Sequence, residues 1–166
     1  MILNKLSDYF AWYNNILINE AIGLLRDELP FEGAIGVIIS YYDRCDDFMV
    51  RKTIEGFMND IKDQSACTEV ISEIRKPWKD ETISMLVSSC WQSGLNYSEY
   101  SADFANVFVR GDYITAIECL TVIEESSYEL TKGVKDEIRK IITDSASAFS
   151  HEKKSLTDEL MDILNR

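Results

Sequence analysis

The feature that most constrains this sequence is an internal repeat of about 33 residues. Apolar residues recur at helical spacing along the chain, whereas no segment alternates with period two as a half-buried strand would. A shift of about 33 residues superimposes these stripes, so that equivalent positions of successive repeats form columns of apolar residues. Three of these columns are Leu17, Val50, Ile83 and Ala116; Ala21, Ile54, Val87 and Leu120; and Leu24, Phe57, Cys90 and Ile123. Helix pairs that cannot bury their apolar faces alone are expected to stack on one another.

Capping residues and helix breakers divide each repeat into two helices. Gly94 is typical of a Schellman helix end, and Gly111 next to Asp112 predicts a tight corner between two helices. Ser98 is predicted to cap one helix, and Pro77 is predicted to end another. The predicted helices are 2–13, 16–28, 33–44, 48–62, 66–76, 80–93, 98–110, 112–126, 131–149 and 152–165.

These helices form one predicted domain over residues 1–166. Its repeats are approximately 16–47, 48–79, 80–111 and 112–149, and residues 1–15 and 150–166 are predicted to be terminal caps. The sequence therefore predicts an all-α fold, in which about four helix pairs stack into a right-handed α-α superhelix, or α-solenoid.

One helix of the second repeat carries a motif that suggests a particular solenoid family. In "DDFMVRKTIEGFM" (46–58), Asp47 precedes a Val-Arg pair, and the apolar Ile54 and Phe57 follow at helix spacing. This stretch resembles a HEAT-type helix, and the chain resembles short HEAT or armadillo-like repeats over roughly residues 16–149. The corresponding helices of the next two repeats keep the leading Asp and lack the Val-Arg pair. The resemblance implies a short HEAT-like solenoid that binds proteins or peptides on a concave surface, and it carries over no catalytic residue.

The net charge of −12 limits the classes of partner. The two halves of the chain, 1–83 and 84–166, carry equal net charge, so the negative field is spread evenly. Such a field repels phosphate backbones and anionic lipid, which argues against nucleic acid and membrane partners, and it steers basic proteins or peptides inward. The sequence has no long apolar run, and its N-terminal stretch lacks the basic n-region of a signal peptide, which favours the cytoplasm.

Residues that usually carry catalysis or bind metal are scarce. His151 is the only histidine, and it lies in the polar "SHEKKS" junction, so no base–nucleophile arrangement is predicted. Neither a glycine-rich phosphate loop nor an EF-hand pattern occurs. Arg110-Gly111-Asp112 is interpreted as a helix corner rather than an adhesive motif. The sequence therefore predicts no catalytic, cofactor or metal site, and no enzymatic activity.

The cysteines are predicted to be buried free thiols. Cys45, Cys67, Cys90 and Cys119 fall on periodic apolar positions without CxxC spacing, which suits a reducing compartment. Trp91 is likewise predicted to be a core residue, because it lies on the apolar stripe of its helix.

Acidic and aromatic side chains supply the candidate binding residues. In HEAT-like solenoids the second helix of each pair usually lines the concave surface. This implies that acidic residues predicted to be exposed on those helices face a partner, and they are Asp43, Glu69, Glu73, Asp103 and Glu137. Trp12 and Trp78 lie at predicted helix ends and are the aromatic candidates for a binding anchor. The predicted partner-binding residues are Trp12, Asp43, Glu69, Glu73, Trp78, Asp103 and Glu137.

The leading functional hypothesis is a non-enzymatic scaffold that binds a basic or amphipathic protein segment on an acidic concave surface. Two alternatives stay open at this point. A small acidic inhibitor or immunity-type protein would mask a basic partner enzyme, whereas an enzyme or enzyme accessory would use a carboxylate cluster in the groove. Carboxylates that converge in one groove would favour the binding hypothesis.

Overall fold

A computed structural model describes residues 18, 21–23 and 33–166 of the chain. This described part is all-helical and contains no strand, which confirms the predicted all-α class. From residue 33 onward the α-helices are α1 (Ala34–Tyr42), α2 (Phe48–Asn59), α3 (Ala66–Ile74), α4 (Asp80–Ser93), α5 (Ser101–Arg110), α6 (Tyr113–Ser126), α7 (Lys132–Ser145) and α8 (His151–Asn165). Within the same residues, no helix is long and apolar enough to cross a bilayer.

The predicted helix boundaries agree with these elements to within a few residues. The main difference is the predicted helix 131–149, which ends as an α-helix at Ser145 and continues as the 3-10 turn Ala146–Ala148. The predicted helix 2–13 lies outside the described residues. The predicted helix 16–28 is described only at residues 18 and 21–23, and these are helical.

Single side chains start and end several helices, as the sequence predicts. The Asp47 carboxylate accepts a hydrogen bond from the Val50 N–H at 3.0 Å, and Asp112 accepts one from the Thr115 N–H at 2.8 Å. Gly94 ends α4 with φ 69°, a left-handed conformation that favours glycine. The corner at Gly111 and Asp112 is thereby confirmed as a junction between α5 and α6.

The prediction that Ser98 caps a helix is wrong. Ser98 instead opens a 3-10 turn, Ser98–Tyr100, and α5 begins only at Ser101, whose hydroxyl donates to the Ser98 carbonyl at 2.9 Å. The side-chain oxygen of Asn96 accepts from the Ser98 N–H at 2.9 Å. Asparagine forms such local turns readily, so Asn96 takes the position that a cap would otherwise hold.

The repeat columns form the core of the described helices. Their members from the second repeat onward are all buried: Val50, Ile54, Phe57, Ile83, Val87, Cys90, Ala116, Leu120 and Ile123. All four cysteines are buried free thiols, as predicted. The prediction that Trp91 is a core residue is wrong, because its side chain is only half-buried. The buried face of α4 continues from Cys90 to Ser93, which leaves Trp91 at its edge.

The chain divides into two compact units, Met1–Leu95 and Asn96–Arg166. In the first unit, α1 packs against α3 and α2 against α4. In the second unit, α5 packs against α7 and α6 against α8. Helices that are two apart in sequence are therefore neighbours in each unit. The boundary between the units falls inside the predicted third repeat, 80–111.

Hydrogen bonds within each unit join residues 33 positions apart. In the first unit, the Gly36 N–H donates to Glu69, and the Asn59 side-chain amide donates to Gln92 at 2.8 Å. In the second unit, the Asn96 amide donates to the carboxylate of Glu129. The separation matches the repeat length read from the sequence.

Candidate functional site

A pocket of about 470 Å³ lies on one face of α3, beside the start of α1. Its described lining comprises Gly33, Ser65, Ala66, Thr68, Glu69, Ser72 and Glu73. Residues 65, 68–69 and 72–73 recur at helical spacing, so α3 brings them to one face. Ser65, Ala66 and Ser72 contribute small side chains to the lining. The volume falls within the range of about 300–1,000 Å³ that is common for small-ligand pockets.

Glu73 is a buried carboxylate at this pocket, with only 3% of its surface exposed. The prediction that Glu73 is exposed on its helix is therefore wrong, because its carboxylate packs against the backbone of α1 at Gly36. Its Oε1 accepts a hydrogen bond from the Lys76 Nζ at 2.6 Å, whereas its Oε2 is buried and has no hydrogen-bond partner. A buried polar atom without a partner costs about 1–3 kcal/mol, and more when it is charged. Glu73 therefore retains an unmet capacity to accept a hydrogen bond.

Glu69 lies one helical turn before Glu73 and contacts the start of α1. Its Oε1 accepts from the Gly36 N–H at 3.1 Å. Gly36 lies in the first turn of α1, where backbone N–H groups lack a partner within the helix and the helix dipole favours a negative charge. The carboxylate of Glu69 is thereby held at the pocket by the neighbouring helix.

The absence of a side chain at Gly36 allows this close approach. A Cβ at this position would lie 3.0 Å from Glu73 Oε1 and 4.0 Å from Glu69 Oε1. The first contact is shorter than an ordinary carbon–oxygen separation, so α1 meets both carboxylates through its bare backbone. Glycine is destabilising within a helix, by about 1 kcal/mol relative to alanine, and here it allows two carboxylates to approach the backbone of α1.

Lys76 links the pocket to Trp78. The Lys76 side chain is 47% exposed, and its Nζ pairs with Glu73 while lying 5.9 Å from the centre of the Trp78 ring. Trp78 is half-buried, and its indole Nε1 is buried without a hydrogen-bond partner. Glu73 Oε2 and Trp78 Nε1 are the two side-chain atoms of this kind among the described residues. Both belong to residues that the sequence singles out as candidates for partner binding.

The arrangement favours a ligand that carries hydrogen-bond donors and positive charge. Two carboxylates and three hydroxyl-bearing residues line the pocket, and one buried carboxylate oxygen has no donor. In the described part of the chain, no group of three or more His, Cys, Asp or Glu residues is placed to hold a metal ion. An organic cation is the ligand whose chemistry matches this set of acceptors.

Asp43, another predicted binding residue, has a structural role in the first unit. Its Oδ1 accepts from the Lys79 N–H at 2.9 Å and from the Thr82 hydroxyl at 2.8 Å. Both donors lie at the start of α4, so Asp43 stabilises that helix end from the end of α1. Asp43 is not part of the pocket lining.

The remaining predicted residues lie elsewhere. Asp103 on α5 is half-buried and Glu137 on α7 is exposed, and both belong to the second unit. Trp12 lies outside the described residues. The structure therefore brings together Glu69 and Glu73 from the predicted set, with Trp78 connected to them through Lys76.

Sequence reasoning did not identify Gly36 or Lys76 as parts of the site. Gly36 interrupts an otherwise apolar helix, and an isolated glycine in a helical pattern is a signal for close packing. Lys76 follows Glu73 by three residues, a spacing at which helical side chains pair. Both signals are common in helical proteins, so neither would have selected this site without the structure.

Comparisons with protein-family models, curated proteins and solved structures found no match for this chain.

Proposed function

We propose that the chain is a HEAT-like helical-repeat scaffold that binds a basic protein segment without catalysing a reaction. Two features support the superhelical part of this proposal. Within each unit, the helices from α1 to α4 and from α5 to α8 pack on the helix two positions away, as expected when helix pairs stack. Hydrogen bonds over 33 positions, such as Asn59 to Gln92, connect equivalent positions of successive repeats.

The observation that carries the binding proposal is the unpartnered Oε2 of the buried Glu73 in a pocket shared with Glu69. A charged donor from a partner would supply the missing hydrogen bond of this buried carboxylate. Hydrogen bonds to charged groups contribute about 1.5–3 kcal/mol, roughly twice the value of neutral ones. A lysine or arginine side chain carries such a donor on a stem long enough to enter a pocket.

The charge of the whole chain supports the same partner class. A net charge of −12 attracts basic segments over distances of about a Debye length and repels nucleic acid. The four buried thiols have no disulfide partner, which is consistent with a reducing compartment, and we extend the proposal to the cytoplasm.

Binding of a fluorescent basic peptide tests this function. A short peptide that alternates arginine or lysine with leucine should raise its anisotropy on titration with the protein, whereas the same peptide with glutamate at the basic positions should not. Affinity should fall as ionic strength rises from about 0.1 M to about 1 M, because the Debye length shrinks from about 10 Å to about 3 Å.

Matched variants locate the interaction. Glu69→Gln and Glu73→Gln should each weaken binding of the basic peptide, whereas Glu125→Gln, which removes the same charge from an exposed position on α6, should leave the affinity within about twofold. Equal binding of the basic and acidic peptides, or equal losses in all three variants, would be evidence against a basic-segment scaffold that uses this pocket.

A further inference from the structure

We infer that the pocket on α3 binds one arginine side chain and discriminates against lysine. The inference rests on the proposed function, since it names the residue of the basic segment that the pocket accepts. It follows from the number and placement of the acceptors, the existing pair between Glu73 and Lys76, and the burial of the site.

The pocket offers more hydrogen-bond acceptors than a single ammonium group can use. Glu69 and Glu73 are four residues apart, so their side chains project from the same face of α3 with Cβ atoms about 5–6 Å apart. Glu73 Oε2 has no donor, and Glu69 uses one oxygen on Gly36. Ser65, Thr68 and Ser72 add hydroxyl groups to the lining. A guanidinium group has five N–H donors in a planar fork, so it can span two carboxylates one helical turn apart, whereas an ammonium group has three donors on one atom.

Lys76 further disfavours a second ammonium group. Its Nζ already pairs with Glu73 Oε1 at 2.6 Å, so a lysine ligand would place another compact charge beside it on the same carboxylate. A guanidinium spreads its charge over the whole group and reaches away toward Glu69, which reduces this repulsion. The pairing with Lys76 leaves Oε2, the oxygen without a partner, for the ligand.

Burial of Glu73 also favours arginine over lysine. A ligand that reaches a carboxylate with 3% exposure must give up most of its hydration. Ammonium groups are strongly hydrated, whereas guanidinium groups are hydrated weakly and are favoured in buried ion pairs. The volume of about 470 Å³ accommodates the planar head group together with its aliphatic stem.

Titration with small amino-acid analogues, followed by NMR of the ¹⁵N-labelled full chain, tests this inference. The probes are N-acetyl-arginine-N′-methylamide, the lysine equivalent, and the citrulline equivalent, which keeps the shape of arginine and lacks its charge. The Gly36 amide is the reporter, because its N–H donates to Glu69. Arginine should shift this resonance saturably, with an affinity about tenfold higher than that of lysine, equivalent to one additional charge-assisted hydrogen bond. Citrulline should produce no saturable shift.

Variants separate the pocket from the rest of the acidic surface. Glu73→Gln should abolish the arginine preference, and Ser72→Gln, which enlarges an exposed lining residue, should do so without removing a charge or a buried contact. Glu125→Gln on α6 should leave the preference unchanged. A retained fold in each variant is verified by the dispersion of the amide resonances. An arginine preference that survives both pocket variants would overturn the assignment to this pocket.

The outcome for this inference is distinguishable from the outcome for the proposed function. If the basic peptide binds and depends on Glu73, yet the arginine and lysine analogues bind equally, the arginine inference is wrong and the scaffold function stands. If neither the peptide nor any analogue binds, the proposed function itself fails.

Discussion

Replacing Lys153 with methionine tests whether one buried lysine stabilises the second unit. Lys153 lies in the first turn of α8 and is 7% exposed. Its Nζ donates hydrogen bonds to the carbonyl oxygens of Val109 at 2.9 Å and Gly111 at 2.7 Å. These carbonyls lie at the end of α5, where the helix offers no further N–H donors. Methionine keeps most of the apolar stem and removes the donor.

The expected loss of stability is the sum of opposing effects. Each of these part-buried carbonyls, when left without a donor, costs about 1–3 kcal/mol. The ammonium group also lies 5.6 Å from the centre of the Phe108 ring and 5.2 Å from that of Phe149, contacts worth about 0.5–2 kcal/mol each. Desolvation of the ammonium group opposes these gains, and it is the main reason that the pKa of Lys153 is lowered. We therefore expect Lys153→Met to reduce the free energy of unfolding by about 2–4 kcal/mol.

Urea unfolding followed by circular dichroism measures this change. Lys154→Met is the matched control, because Lys154 is the exposed neighbour in the same helix turn. Tryptophan fluorescence would not report on the second unit, since Trp12, Trp78 and Trp91 all precede residue 96. If Lys153→Met is as stable as Lys154→Met, the hydrogen bonds of Lys153 only offset its desolvation, and the reasoning is refuted.

The pH dependence of stability provides a second check on Lys153. Folding lowers its pKa below 10.5, so in the interval between the folded pKa and 10.5 the unfolded chain binds more protons than the folded protein. The contribution of this residue to the unfolding free energy therefore rises with pH through that interval. The advantage of the wild type over Lys153→Met should grow accordingly. Other groups that titrate at alkaline pH contribute equally to the wild type and to Lys153→Met, so their effect cancels in the difference. One such group is Tyr42, whose pKa is raised to about 12 mainly by burial. A constant or shrinking advantage contradicts the lowered pKa.

Other predictions concern the helix cap at Asp112, the close approach of Glu73 to Gly36, and the four buried thiols. Asp112→Ala removes the acceptor of the Thr115 N–H and should cost about 1 kcal/mol in urea unfolding near neutral pH. Hydrogen bonds from the Thr115 side chain and from its backbone N–H lower the pKa of Asp112, so the cost should disappear as the pH falls through the folded pKa, below 3.8, and a cost that persists in acid argues against the cap. Gly36→Ala should not yield the usual gain of about 1 kcal/mol, because its Cβ would press on Glu73; higher stability by calorimetry would contradict the close approach. Thiol reagents should modify the four buried cysteines only in urea, and mass spectrometry that detects rapid labelling of the native protein would disprove their burial.

Helices and their ends could be predicted where a local cause decides them. Asp47 and Asp112 each bond a backbone N–H three residues later, and Gly94 has the left-handed conformation expected at a helix end. These contacts depend on a few neighbouring residues, so the sequence contains the information needed. The apolar columns are also reliable, because burial of one helix face requires only the helical period.

The errors at Ser98 and Trp91 arose within one or two residues of the predicted position. Ser98 has the chemistry of a cap, yet the side chain of Asn96 bonds the Ser98 N–H and a 3-10 turn follows. Trp91 lies one position beyond Cys90, at the edge of the buried face that continues to Ser93. Both outcomes depend on the exact rotation of the chain, which periodicity does not determine to within one residue.

The candidate site could be predicted only in part. Glu69 and Glu73 are recognisable as acidic residues one turn apart on a helix, but their contacts with Gly36 require knowledge of which helix packs against α3. The unpartnered oxygen of Glu73 is a tertiary property as well, since it depends on burial by residues distant in sequence. Periodicity therefore identified the side chains, and packing created the pocket.

The repeat length explains why the pocket lies beside α1 and α3. A period of 33 residues places equivalent positions of successive repeats side by side, and at Asn59 and Gln92 two polar side chains meet directly. The same register pairs Glu69 with Gly36, which has no side chain to offer, so the carboxylate bonds the backbone N–H instead. A side chain at position 36 would press on Glu73, because a Cβ there would lie 3.0 Å from Glu73 Oε1. The stacked repeats thus bring two carboxylates of one repeat against the backbone of the repeat before it, where a glycine carries no side chain to separate them.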